Sequence, residues 1–250
     1  MHVAAAGTLT LEGLTLRFGA TSVGGGLFND GGTVTLRHSI LSNNSAAAGA
    51  GGLFNDQGTV TISHSTVSGN NTGFFGVTGG IHNSGTLALV NSTLSNNSAE
   101  ACGGLSGGSG TSITNSTIAF NRATGDGFGG GICGGGSMSI TNSTIAYNHA
   151  KYGGGGFSGN ATLQNTILAL NTVSIGPGAD CLGNCSPSGM TGDPGLDSFT
   201  DDGIPGNGHF PLLPTSLAIN TGNDAACPLW SAEISFIASC HQFLEPVLMM

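Results

Sequence analysis

One pattern recurs about every 25 residues, roughly seven times, between Gly7 and Asn184. Clear copies begin at Gly58 (GTVTISHSTVSGNN), Gly85 (GTLALVNSTLSNNS), Gly110 (GTSITNSTIAFNRA) and Gly136 (GSMSITNSTIAYNHA). Glycine clusters separate the copies, starting at Gly24, Gly51, Gly79, Gly103, Gly129 and Gly153. A period of this length marks a solenoid, because one unit is too small to bury its apolar face and does so against its neighbours.

Within a copy the alternation has period two. In Thr59-Val60-Thr61-Ile62 the two apolar residues point one way and the threonines the other, and Thr8–Leu11 and Thr33–Leu36 repeat the arrangement. A second short strand is predicted at Thr66-Val67, Thr93-Leu94, Thr117-Ile118 and Thr144-Ile145. A third follows the glycines at Leu27, Leu53, Ile81, Leu105, Ile132 and Phe157. No stretch has helical periodicity long enough for a crossover, so βαβ units are excluded. The prediction is an all-β fold, a parallel β-helix of about seven coils with three strands per coil and an irregular C-terminal segment.

Aligning the copies places like residues above one another. Leu11, Leu36, Ile62, Leu89, Ile113, Ile140 and Leu163 form an interior aliphatic column, spaced about 4.8 Å. Asn44, Asn70, Asn97, Asn121, Asn148 and Asn171, with Gly19 in the first coil, form an asparagine ladder. Its members are expected to sit in left-handed turns, with each amide bonding the next coil. A third column holds His38, His64, Asn91, Asn115, Asn142 and Asn165.

Composition removes several functions. The chain carries four Lys+Arg against thirteen Asp+Glu, a net charge of −9. Arg17, Arg37, Arg122 and Lys151 are scattered, so the clustered cations needed for nucleic acid or an anionic membrane are missing. No apolar run of about 18 residues exists, which argues against a transmembrane helix. The start, MHVAAAGTLTLEG, shows no signal peptide, and Thr8 to Leu16 already reads as a repeat, as in a chain that begins inside a longer protein. Cys102, Cys133, Cys181, Cys185, Cys227 and Cys240 lack the paired spacing of a zinc site and point to local disulfides in an exported protein.

The copies NSTIAFN and NSTIAYN, each followed by a glycine cluster, resemble repeats of the bacterial right-handed parallel β-helix proteins of the pectin-lyase-like superfamily, including the polymorphic outer-membrane-protein type, and that resemblance implies a right-handed parallel β-helix (solenoid) here. Further on, GADCLGNC (Gly178–Cys185), GDPGLD (Gly192–Asp197) and LLPTSLAINTGNDAACP (Leu212–Pro228) resemble the C-terminal region of choice-of-anchor Q domain proteins. That resemblance implies a secreted or cell-surface protein, with repeats over 1–184, the anchor-like segment over 185–228 and a tail of different character over 229–250. In the tail, PLWSAEISFIASCHQFLEPVLMM departs from the basic and acidic-aromatic ending of that family.

Polysaccharide lyases share the superfold and use an Arg or Lys base with carboxylates that hold Ca²⁺. Here Arg122, Asp126, His149 and Lys151 fall on turns of two adjacent coils, a candidate catalytic cluster whose plainer reading is a solvated turn. Asp30 and Asp56 occupy matching LFND turns one coil apart, which fits a retaining glycosidase pair or a Ca²⁺ site. Asn83 is aligned with them, which favours turn chemistry. Thr8/Thr10, Thr33/Thr35 and Thr59/Thr61 form a Thr-x-Thr array that could order water or ice, broken at Ala88. The sequons at Asn91, Asn115 and Asn142 follow from the repeat. Phe120, Tyr147 and Leu170 share a column expected in or near the core, with a groove of exposed aromatics that could stack sugars as the alternative, and His2, His82, His209 and His241 show no ligand spacing. The sequence therefore points to a non-catalytic secreted or surface scaffold for adhesion or contact with polysaccharide or cell-surface glycan. A polysaccharide-active enzyme is the alternative, and a plain structural stalk the third reading.

Overall fold

In a computed structural model, which describes residues 1–73, 76–186, 189–190 and 193–218, the period-two stretches become strands and the copies stack coil on coil. The first five coils have four strand segments each rather than the expected three; in the next two, the first two segments merge into Ile132–Thr141 and Phe157–Gln164, and three remain. In the coil that begins at Leu53 the four are Leu53–Asp56, Thr59–Ser63, Thr66–Ser68 and Asn71–Thr72. The fourth escapes sequence reading because two residues are too short to show alternation. The first two segments stack into a 13-stranded sheet, the third into an 8-stranded sheet and the fourth into a 7-stranded sheet. Every pairing among these strands is parallel, for example Thr59–Ser63 with both Thr33–Arg37 and Thr86–Val90. The result is an all-β parallel solenoid of about seven turns. Among the described residues no helix is long and apolar enough to cross a membrane.

The aliphatic column is realised residue for residue. Leu11 pairs with Leu36, and the register runs on through Ile62, Leu89, Ile113, Ile140 and Leu163. All seven are buried, each contributing about 1.5–3 kcal/mol by leaving water. Parallel columns run through Leu27, Leu53, Ile81, Leu105, Ile132 and Phe157 and through Leu41, Val67, Leu94, Ile118, Ile145 and Leu168.

The asparagine ladder is buried and continuous. Asn70 Nδ2 donates to Asn97 Oδ1 (3.0 Å), Asn97 Nδ2 to Asn121 Oδ1 (3.0 Å), Asn121 Nδ2 to Asn148 Oδ1 (2.9 Å) and Asn148 Nδ2 to Asn171 Oδ1 (3.0 Å). Asn44 joins Asn70 in the same way and caps Gly19 N. Asp180 closes the far end by accepting from Asn171. The expected left-handed backbone is one residue earlier, at Phe18, Asn43, Gly69, Asn96, Phe120, Tyr147 and Leu170, and also at the His38–Asn165 column. The ladder asparagine itself faces inward, where its amide replaces the water that a turn would otherwise need.

Two further ladders were not anticipated. Ser39, Ser65, Ser92, Ser116 and Ser143 each bond the next: the hydroxyl of one accepts the backbone N–H of the one before. Asn29 Nδ2 donates to Asn55 Oδ1 (2.8 Å), Asn55 Nδ2 to Asn83 Oδ1 (2.6 Å) and Asn83 Nδ2 to Thr111 Oγ1 (3.0 Å). Asn83 is therefore the counterpart of Asn55, not of Asp56 as the alignment supposed, because the register pairs it with Asn55. The sequons resolve into three structural duties. In Asn91-Ser92-Thr93 the first residue takes the left-handed turn, the second joins the serine ladder and the third faces out from the third sheet.

The glycine clusters bring backbone against backbone. A Cβ on Gly103 would stand 2.4 Å from Arg122 N and 2.3 Å from Gly130 O, and Gly51, Gly79 and Gly130 abut Asn71, Ser98 and His149 in the same way. No side chain fits there. Two disulfides also form among the described cysteines: Cys102–Cys133 ties one coil to the next, and Cys181–Cys185 closes a short loop. Cys102–Cys133 spans 31 residues yet only 6.0 Å between Cα atoms, because the coil brings them together. Cys227, Cys240 and the tail lie outside the described residues, as does the motif beyond Ala218.

Past the last coil, residues 193–218 fold back as a strap over the outer face of the third sheet. Antiparallel bridges Leu196–Leu212 and Thr200–His209 hold it together. Leu196, Phe210 and Ala218 are buried against Ala119, Ala146, Ile167 and Ala169. Most outer residues of that sheet from Thr66 to Ala169 are small, Thr66, Ser68, Thr93, Ser95, Thr117, Ala119, Thr144, Ala146 and Ala169, with Ile167 the bulky exception, which lets the strap lie close.

Candidate functional site

Register brings Arg122 and His149 side by side on the fourth-segment sheet. His149 Nδ1 lies 2.9 Å from Thr172 Oγ1 and its Nε2 3.1 Å from Ser174 Oγ, so both ring nitrogens are occupied by hydroxyls. Desolvation, then the neighbouring Arg122 charge, push the imidazole pKa down. Lys151 turns elsewhere: its Nζ donates to Asp126 Oδ1 at 2.7 Å and sits 5.1 Å from the Tyr152 ring centroid. Its pKa is raised, chiefly by the Asp126 bond. A lysine base needs the opposite shift. The four candidate residues thus share one exposed face but form two separate pairs, and each cation is already engaged or solvated.

Asp30 and Asp56 are register neighbours. Asp30 Oδ2 is 3.6 Å from His2 Nε2, and the charge of Asp56 acts on His82. Calcium takes six to eight oxygens, and among the described residues no cluster of three or more His, Cys, Asp or Glu side chains gathers around these two or anywhere else. Beside them runs a ring column in which His2 stacks on Phe28 (5.0 Å) and Phe54 on His82 (4.6 Å), with Phe28 and Phe54 edge to face (5.7 Å). This column is half-buried, and burial holds the His82 pKa below its ordinary value. Below pH about 6.5 the unfolded histidine takes up a proton that the folded one resists, so stability is present above that pH and lost as the pH falls. Denaturation midpoints should therefore drop between pH 7.5 and 5.5, and His82→Phe, the residue one coil below, should flatten that drop.

The Thr-x-Thr array is regular in the first coils. Thr8, Thr33, Thr59 and Thr86 form one column and Thr10, Thr35, Thr61 and Ala88 the next. The second continues through Ser112, Ser139 and Thr162. The face is a wall of hydroxyls carried on strands, with charge only at its margin in Glu12 and Arg37.

Phe120 and Tyr147 are not in the core. At left-handed corners they point outward, stack at 5.6 Å and meet Phe199 and Phe210 of the strap, Phe210 lying 5.2 Å from Tyr147. The strap also bonds the sheet directly: Gly206 N donates to Thr66 Oγ1 (2.9 Å) and Thr93 Oγ1 to Gly208 O (3.1 Å). These contacts join residues 140 and 115 positions apart, and no local sequence signal announces them.

Fold and surfaces together define a parallel β-solenoid with an uncharged hydroxyl wall and a strapped side. Set against protein-family models, curated proteins and solved structures, the chain matches none.

Proposed function

We propose that the protein is a non-catalytic β-solenoid scaffold, secreted or held at a cell surface, that contacts glycan. The observation that carries this reading is the hydroxyl wall, Thr10-Thr35-Thr61 and, past the break at Ala88, Ser112-Ser139-Thr162, backed by buried Leu and Ile columns. Rigid rows of hydroxyls offer both donors and acceptors to a neutral polyhydroxylated partner. The two disulfides favour an oxidising compartment. The repeat and anchor-like motifs resemble those of the pectin-lyase-like and choice-of-anchor Q surface proteins, which agrees with that location. Catalysis is disfavoured because Lys151 is paired with Asp126 and His149 is held by two hydroxyls.

A glycan array should give signals for neutral glycans above background. Incubation with polyuronates should release no unsaturated ends, and Arg122→Ala or Lys151→Ala should leave glycan signals unchanged. Release of unsaturated ends, abolished by either variant with circular dichroism intact, would establish a lyase instead.

A further inference from the structure

The outer threonine column does not run the length of its sheet. Thr8, Thr33, Thr59 and Thr86 hold it through four coils, and in the fifth its place falls to Gly110, which has no side chain. The next residue, Thr111, takes the inward position that Val34, Val60 and Leu87 hold in the coils before it. A hydroxyl in this apolar column has a structural reason: Thr111 Oγ1 accepts from Asn83 Nδ2 (3.0 Å) and ends that asparagine ladder. Its own proton goes to no protein group among the described residues, although the side chain is only 2% exposed. In the next two coils the first two segments run together, with an irregular register between Cys133 and Ser137. The wall is therefore recessed at this point. A groove of about 540 Å³, open to solvent, is lined by Thr86, Ser109, Thr111, Ser112, Ser139 and Thr162, with Met138 buried beneath it.

We propose that this groove is the glycan subsite of the hydroxyl wall and takes a neutral disaccharide, or a longer chain, lying along the solenoid axis; the ligand class rests on the glycan reading above. The lining comes from four successive coils, a span of about 14 Å at about 4.8 Å per coil. Its volume falls among small-ligand clefts, which run from about 300 to 1,000 Å³. No carboxylate, amine, guanidinium or imidazole lines the groove, so an ionic ligand would find no counter-charge. An apolar ligand would strip water from the six hydroxyls and return no hydrogen bond. A sugar returns both donors and acceptors. Thr86, Ser109, Ser112, Ser139 and Thr162 are already exposed, so contact needs no movement of the backbone. Ser112 Oγ donates to Leu87 O (3.4 Å) and keeps its lone pairs for the ligand. The first coils carry the same hydroxyls on a filled surface; here they surround a recess.

The test titrates the whole chain with cellobiose, maltose, lactose and N,N′-diacetylchitobiose by calorimetry, with digalacturonate as the charged comparator, and repeats the glycan array on each variant. At least one neutral disaccharide should saturate, and digalacturonate should bind more weakly or not at all. Ser139→Trp, at an outward strand position, fills the groove and should abolish saturation with unchanged circular dichroism. Thr35→Trp, four coils earlier in the same outer column, should leave binding intact. If Ser139→Trp does not fold, Ser112→Ala combined with Ser139→Ala, which removes two oxygens and adds nothing, should weaken binding about tenfold. Unchanged affinity in the groove variants, loss with Thr35→Trp, or tighter binding of digalacturonate overturns the groove. An array signal abolished by Ser139→Trp but not by Thr35→Trp supports it for a longer chain. If no disaccharide saturates and a positive array ignores Ser139→Trp, the groove fails and the scaffold reading stands; if the array is also blank, both fail.

Discussion

Asn121→Leu should be among the most damaging single substitutions in the chain, costing roughly 3–5 kcal/mol, since each buried group left unpaired costs about 1–3 kcal/mol. Its Nδ2 donates to Leu94 O and Asn148 Oδ1, and its Oδ1 accepts from both Asn97 N and Asn97 Nδ2. Leucine is close in size, so packing changes little while four partners lose their bond. Because the ladder is continuous, the loss falls on the coils above and below as well as on the mutated one. Chemical denaturation should show a lower midpoint and, as each repeat depends on its neighbours, a broader transition. A midpoint equal to that of the parent chain would show that water can replace the amide, and the ladder would lose its place as the organiser of this corner.

Gly103→Ala should be comparably severe, for a different reason. The added methyl meets Arg122 N at 2.4 Å and Gly130 O at 2.3 Å, both backbone atoms that cannot swing aside. Separating the coils there breaks parallel pairing in two sheets, and overpacking of this kind costs about 3 kcal/mol or more. Gly108→Ala is the control. Its added Cβ would have nothing nearer than Gly136 N at 3.9 Å, and stability should stay within about 0.5 kcal/mol. Thermal melts of the two variants side by side separate close approach from a general effect of losing glycine.

Much of the fold was legible because a repeat displays each column several times. Leu36, Ile62 and Leu89 reveal an inward position by recurring, and the ladder Asn121 by its constant offset from them. The serine ladder was equally visible, as Ser39, Ser65, Ser92, Ser116 and Ser143 recur in five successive coils, with Leu14 before them and Thr166 after. It was overlooked because Asn-Ser-Thr invites a reading as a glycosylation signal. The fourth strand was hidden by its two-residue length. Asn83 was placed against the wrong neighbour because the LFND turn and the His82-Asn83 turn differ by one residue, which only hydrogen bonding resolves. The strap could not be read at all. Phe210 meets Phe120 across ninety positions of unrelated sequence, and neither residue carries a periodic mark. The surfaces divide in the same way: Arg122 beside His149 follows from register, whereas the strap contacts of Thr66 and Thr93 come from outside the repeat.

The spacing between successive ladder asparagines is 26, 27, 24, 27 and 23 residues, yet the amide chain never breaks. Gains and losses of a few residues are absorbed in the loops between segments. A genome can therefore lengthen this protein by copying one unit, or vary its rim by slippage in a loop, without redesigning the interior. Reach and decoration evolve separately here, and the amide row is what keeps them apart.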